Sequence, residues 1–264
     1  MKSIGIFPFG QPVQNIVQTD RSSKNVFILG VYASAVHARW TNPNGNTLVN
    51  ALAVASEPYI FWRGENANSI IEKIDIPPGV GKLVPANPAL NGPSDNVLDS
   101  LILNPLGLKR DDVWLCDLVP HSCINPAQKK AIEREYSPLS SKYGLPYPSV
   151  PPLPNPITDE KRQREIEDEL IESNATILIL LGDLPIRWLL YIHDKRWKKL
   201  ADFETYGQLH KTRIRERSIR ILPLAHPRQI GRLGQSSLGW YKAHKEWIQS
   251  SSKYISHVIE DNSN

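Results

Sequence analysis

Four short apolar runs, each ending on glycine or a polar residue, constrain this chain most. They are Val26-Phe27-Ile28-Leu29 before Gly30 and Val113-Trp114-Leu115-Cys116 before Asp117. The others are Ile177-Leu178-Ile179-Leu180-Leu181 before Gly182, and Ile219-Arg220-Ile221-Leu222-Pro223-Leu224 before His226. Unbroken aliphatic runs bounded in this way predict strands buried on both faces. In an open parallel sheet, ligands bind in the crevice at the carboxyl ends of the strands. The pattern therefore predicts that Gly30, Asp117 and His226 face one another across one site.

The segments between the runs supply crossovers. The reading places a loop over 31–46, a helix over 47–54 and an aromatic, turn-rich stretch over 57–64. Proline, glycine and asparagine make 76–95 irregular. Ser94 or Asp95 is suited to cap a helix over 96–103 that stops before Pro105. Seven prolines between Tyr136 and Pro156 argue against a regular helix and mark 136–157 as a loop insertion. Thr158 is placed to cap a charged helix, and Asp183 with Pro185 to start one over 186–192. Trp240, Ala243, His244 and Trp247 share one helical face, as in a terminal helix packed on a sheet. These alternations predict a three-layer α/β/α sandwich with a mostly parallel four-stranded central sheet. One domain is expected over 1–250, followed by a polar, frayed tail over 251–264.

A length of 264 residues suits one large α/β domain. The composition, 41% hydrophobic and 22% charged, is ordinary for a globular protein. No apolar stretch approaches the roughly 20 residues that span a bilayer, so no membrane partner is expected. The first residues lack the pattern of a signal peptide. Two cysteines make no disulfide framework, which favours a cytoplasmic location. A net charge of +4 and a pI near 9.0 permit a polyanionic partner. Lys211, Arg213, Arg215, Arg217, Arg220, Arg228 and Arg232 crowd the stretch around His226, either as a solvated surface or as phosphate contacts.

Taken in order, these segments resemble the uracil-DNA glycosylase superfamily from about Asn25 to Trp247. Gly30-Val31-Tyr32-Ala33-Ser34 stands where that family has a Gly-x-x-Pro-like loop after its first strand. Asn91-Gly92-Pro93-Ser94-Asp95 matches a Gly-Pro-rich turn before a helix, and Asp117-Leu118-Val119-Pro120 a strand end that reads the base. Leu181-Gly182 and His226-Pro227-Arg228 match the later strand end and part of a His-Pro-Ser loop. The resemblance implies a monofunctional DNA glycosylase. Such an enzyme flips a nucleotide out of the duplex and hydrolyses the bond between base and sugar. It implies that His226 donates to the departing base anion, and that the same loop wedges Arg228 or Ile230 into the helix. Gly30, Val31, Asp117 and Phe61 would line the base pocket. Ser34, Arg228, Ile230 and Arg232 would touch DNA.

The chain also departs from the family. Tyr32 stands where many members have Asp or Asn to position water, and a neutral phenol is a poor base. Tyr32 is therefore a candidate to stack on the base or hold a water, with Asp117 and Glu57 the nearest motif-linked carboxylates. Asp117 replaces the Asn that reads uracil. An ionised Asp would repel the 4-oxo oxygen but accept from the exocyclic amine of cytosine, and a protonated one also donates to the ring nitrogen. The expected substrate is therefore a modified, cytosine-type base, with a possible defence role against phages carrying modified cytosines. An ordinary uracil-DNA glycosylase in repair and a catalytically silent nucleic-acid binder of the same fold remain open. Cys116 and Cys123 cannot supply the four ligands of an iron–sulfur cluster, and no paired-cysteine spacing supports zinc with His121. No cofactor is expected, and a monomer acting on DNA is.

Overall fold

The computed structural model describes residues 4–233 and 238–260. The chain is α/β, and its contacts divide it into two compact units. One comprises 17–31, 94–119 and 156–264. The other comprises 1–16, 32–93 and 120–155.

All four apolar runs form strands. They are β1 (Val26–Tyr32), β5 (Val113–Val119), β6 (Ile177–Leu181) and β8 (Arg217–Leu224). β7 (His210–Ile214) is a further strand, and the sheet order is β5-β1-β6-β8-β7. β1 pairs parallel with β6, and β6 parallel with β8. β7 is antiparallel to β8 and forms the sheet edge. The mostly parallel sheet thus has five strands where four were expected, consistent with a three-layer α/β fold. β7 escaped the sequence reading because Lys211 and Arg213 alternate with Thr212 and Ile214. That is the pattern of an edge strand with one buried face, not of an unbroken apolar run.

Helices pack around this sheet. Glu160–Glu172 buries Ile166 and Leu170. It is capped by Asp159, whose carboxylate accepts from the Arg162 N–H at 2.8 Å, and not by Thr158. A helical run from Asp183 to His193 follows β6 as expected. Pro93 to Leu106 is helical with a π-type middle, extending beyond the expected stop at Pro105 because proline fits the first turn of the closing 3-10 segment. Leu238–Ser250 buries His244 and Trp247. The stretch read as a frayed tail holds a further helix, Ser252–Glu260, that buries Ile255 and Ile259. An apolar side chain three or four positions from the next gives such a segment a face to bury. Residues 261–264 of that stretch lie outside the described residues.

The other unit is built on a three-stranded antiparallel sheet, β3-β2-β4, of β2 (Ala35–Thr41), β3 (Thr47–Ser56) and β4 (Lys82–Pro85). The expected loop over 31–46 and helix over 47–54 are therefore a hairpin. Its turn closes with Gly45 at φ +83°, while the Asn42 N–H donates to the Asn46 carbonyl at 2.9 Å. Asn44-Gly45 is a strong hairpin signal, and β-branched Thr47, Val49 and Val54 favour the strand that follows. β4 lies within the stretch expected to be irregular and ends on Pro85, which suits an edge strand. The core joins Trp40, Trp62, Leu52 and Val54 to Phe9 and Tyr136. Phe9 meets Trp40 edge-on at 5.2 Å. Within the expected proline-rich loop, Ser137–Tyr143 is helical, because Pro138 occupies its first turn.

Candidate functional site

The register of the parallel strands fixes one edge of the five-stranded sheet. Leu29 pairs with Leu180, and Leu181 with Leu224. Gly30, Gly182 and His226, each one or two residues further along, therefore gather at that edge. Gly182 has φ +89°, and a Cβ there would lie 3.2 Å from the Cβ of His226. A bulkier residue would press on the histidine, so the Leu181-Gly182 ending is a packing requirement of the His226 loop.

His226 caps the short helix Pro227–Ile230. Its Nδ1 accepts the Arg228 N–H at 3.2 Å, and Gln229 Oε1 accepts the His226 N–H at 3.1 Å. Burial, reinforced by the Arg228 charge, pushes the imidazole down to about 4. At neutral pH the ring is uncharged. Because Nδ1 is an acceptor, the proton sits on Nε2, which leaves one N–H donor. The residue before it is pinned as well. The Tyr206 hydroxyl accepts the Ala225 N–H at 3.1 Å and lies 2.6 Å from His244 Nδ1. His244 Nε2 in turn donates to the Leu101 carbonyl at 2.8 Å, so Tyr206 is the donor to His244. The groups from Ala225 through Tyr206 and His244 to Leu101 are thus each bonded to the next, which fixes where the His226 loop begins. Neither Tyr206 nor His244 was singled out for the site by the sequence. A lone tyrosine carries no motif.

Asp117 lies in the middle of β5 and is 4% exposed. Burial, with repulsion from Asp95 opposed by attraction to Arg162, pushes its carboxyl up to about 8. Asp117 is therefore a neutral carboxylic acid at pH 7, offering one O–H donor and one carbonyl acceptor. Asp95 stands on the helical run from Pro93 and is 6% exposed. Arg162 reaches from the helix Glu160–Glu172 to the backbone of β5, donating to the Asp117 carbonyl at 2.7 Å and the Leu118 carbonyl at 3.1 Å. Its other contacts include Glu169 at 3.6 Å, so it is shared and does not simply neutralise Asp117. Burial pushes the Cys116 thiol well above its ordinary range, which makes it an inert strand residue. The helix bearing Asp95 also touches the His226 loop, since a Cβ on Gly231 would lie 2.6 Å from Val97.

Of the loop residues expected to meet DNA, Arg228 is exposed and donates to the Leu233 carbonyl at 3.4 Å. Arg232 is exposed, with φ +55° and its guanidinium 5.4 Å from the Tyr241 ring centre. Ile230 is 0% exposed, so it belongs to the core and cannot wedge into a duplex. Val31 is buried within β1. Tyr32 ends β1 at 37% exposure. In the other unit, the Ser34 carbonyl accepts from the Ser122 hydroxyl. Phe61 is buried in the left-handed region at φ +56°, an uncommon and strained conformation for an aromatic residue. Glu57 is buried. Asn91 and Gly92 serve the backbone there. The Asn91 carboxamide accepts from the His37 N–H at 2.8 Å and donates to the His37 carbonyl at 3.1 Å, acting as a strand neighbour.

The basic run divides into two groups. β7 and β8 meet at a turn beside Ile214 and Arg217, the end of β8 remote from His226. Arg215 binds Glu167 and Asp168 there, and Arg217 donates to the Asn174 carbonyl at 2.7 Å. Only Arg228 and Arg232 remain beside the histidine loop.

Among the described residues, no group of three or more His, Cys, Asp or Glu could hold a metal ion. No helix among them is long and apolar enough to cross a membrane. The sequence matches no known family model, and it shows no significant similarity to any curated protein.

Proposed function

We propose that the chain is a monofunctional DNA glycosylase of the uracil-DNA glycosylase type, acting on a flipped-out pyrimidine. The observation that carries this reading is the state of His226. It is a neutral imidazole at the end of a parallel strand, with Nδ1 engaged and Nε2–H available. A neutral donor suits a leaving base that gains negative charge as its N1–C1′ bond breaks. Water supplies hydroxide to C1′ and a proton to the base, leaving an abasic site. Arg228 is the exposed member of the loop and the candidate to enter the duplex.

Asp117 supplies the base-reading pair. As a neutral acid it accepts from the exocyclic amine of a cytosine-type base and donates to the ring N3. A modified cytosine therefore remains the favoured substrate, and removal of such bases from phage DNA is a fitting role. The same neutral acid also offers the donor and acceptor of an asparagine, which keeps uracil excision as a second reading.

The deciding experiment incubates duplexes carrying uracil, cytosine or modified cytosines with the protein, and follows with alkali to cleave abasic sites. Cleavage on modified cytosine supports the main reading. Cleavage on uracil alone supports the second. Absence of strand breaks on every substrate sinks both and leaves a silent binder of nucleic acid.

A further inference from the structure

The edge strand β7 and the segment before it carry a second concentration of charge, outside the candidate site. A concavity of about 470 Å³ is lined by His193, Arg196, Lys211, Thr212 and Arg213, among others. Of its lining, Arg196, Lys211 and Arg213 are exposed, and so are Lys195 and Lys198 on the segment that carries Arg196. Asp194, Asp202 and Glu216 lie on the same segments, and Glu167 pairs with His193, which leaves a modest positive excess.

Several of these cations are held in place. The ammonium groups of Lys195 and Lys198 lie 4.4 Å and 5.7 Å from the Tyr191 ring centre. The Arg196 guanidinium lies 4.0 Å from the Trp197 ring centre, and it donates to Asp194 at 2.6 Å and to the Lys211 carbonyl at 3.1 Å. Asp194 is further bound by Thr212 at 2.8 Å, and this bonding, with Arg196 first, pulls its carboxyl down to about 2. Asp194 thus balances Arg196, and Glu216 pairs with Arg213 at 3.6 Å, so the outward charge left over is that of Lys195, Lys198 and Lys211. Cations seated on rings lose less freedom on binding than free side chains do.

We propose that this face of β7 is a docking surface for the phosphodiester backbone of duplex DNA. The inference shares the nucleic-acid partner of the function proposed above, but it does not depend on base-removal chemistry. The patch lies beside the first half of β8 and His226 follows its end. Ser218 to Leu224 spans roughly 20 Å, or about six base pairs. A duplex held here would keep the protein on DNA while the His226 loop samples bases.

The test uses an undamaged duplex of about 30 base pairs, with affinity followed by anisotropy across a salt series. Substituting Lys195→Gln, Lys198→Gln and Lys211→Gln together is expected to weaken binding at least about tenfold at low salt and to reduce the log–log salt slope by about 2 to 3. The substituted side chains are exposed, and an unchanged melting curve confirms the fold. The charge-matched control Lys73→Gln, Lys161→Gln and Lys253→Gln is expected to change the slope much less. An unchanged slope in the first variant, an equal fall in the control, or tighter binding to phosphatidylserine vesicles than to duplex would each overturn the proposal. Base release from short single- and double-stranded oligonucleotides carrying uracil or modified cytosines reads the chemistry separately. Its absence alongside patch-dependent duplex binding would sink the glycosylase and leave the docking surface standing.

Discussion

The two ends of β8 offer opposite electrostatic surroundings on one strand. At the His226 end, burial keeps the histidine uncharged, and in β5 the same cause keeps Asp117 protonated. At the Arg217 end, charges are paired or exposed, and the ion pair of Arg213 with Glu216 at 3.6 Å is almost fully in water. Burial at one end changes which groups ionise, and so sets chemistry. Solvent at the other leaves charges intact but individually weak, so they act only in numbers.

The largest effect is expected at His226. His226→Ala is expected to lower base release by about 10²- to 10³-fold, the cost of removing one donor aimed at a developing anion. Duplex affinity should stay within about twofold, because no phosphate contact is assigned to the ring. Collapse of binding with no separate loss in the chemical step would show that the residue serves only structure.

Asp117 is next. Its folded-state value near 8 lies above the ordinary 3.8, so the folded protein holds an extra proton between those limits. Stability from this group is full below about 4 and is lost as pH rises toward 8. Asp117→Asn should remove that loss and raise stability at pH 7, by on the order of a few kcal/mol. Activity should show an alkaline limb near pH 8 that the variant lacks. Denaturant melts and rate profiles at several pH values check both. His226 works in the reverse sense. Its depressed value means stability is present above about 6.5 and falls as pH drops toward 4.

Tyr206→Phe should cost about 1–3 kcal/mol, because it orphans the Ala225 N–H and the His244 ring nitrogen together. If the hydroxyl positions the His226 loop, kcat should fall while duplex affinity holds. At the charged end, Glu216→Gln should change stability by less than about 0.5 kcal/mol. A cost comparable to that at Tyr206 would erase the contrast between the two ends.

The four strands were legible because fully buried strands leave an unmistakable apolar signature, although β1 runs on through Gly30 to Tyr32 and β5 through Asp117 to Val119. Gly182 and His226 were readable for the same reason, as the residues directly beyond those runs. The β2–β3 hairpin was not read. Short side chains such as Ala51, Ala53 and Ala55 blur the alternation, so the Asn-Gly turn was its clearest mark. Asp95 and Arg162 were missed as partners of Asp117 because they come from two separate helices. Charge repulsion across a fold has no spacing in the sequence. Ile230 shows the converse, since a loop residue next to functional neighbours need not share their exposure.

Two Asn-Gly pairs, Asn44-Gly45 and Asn91-Gly92, give the chain a chemical clock. Glycine leaves the preceding carboxamide open to attack by the next backbone nitrogen, which converts asparagine to aspartate or isoaspartate. Asn44 sits in an exposed turn, so its conversion would add a charge in water at little cost. Asn91 is buried, and both ends of its carboxamide are tied to His37. Conversion there would set a carboxylate against the His37 carbonyl and unpick that edge of β2. Ageing should therefore begin harmlessly at the hairpin and become damaging only once the second site opens.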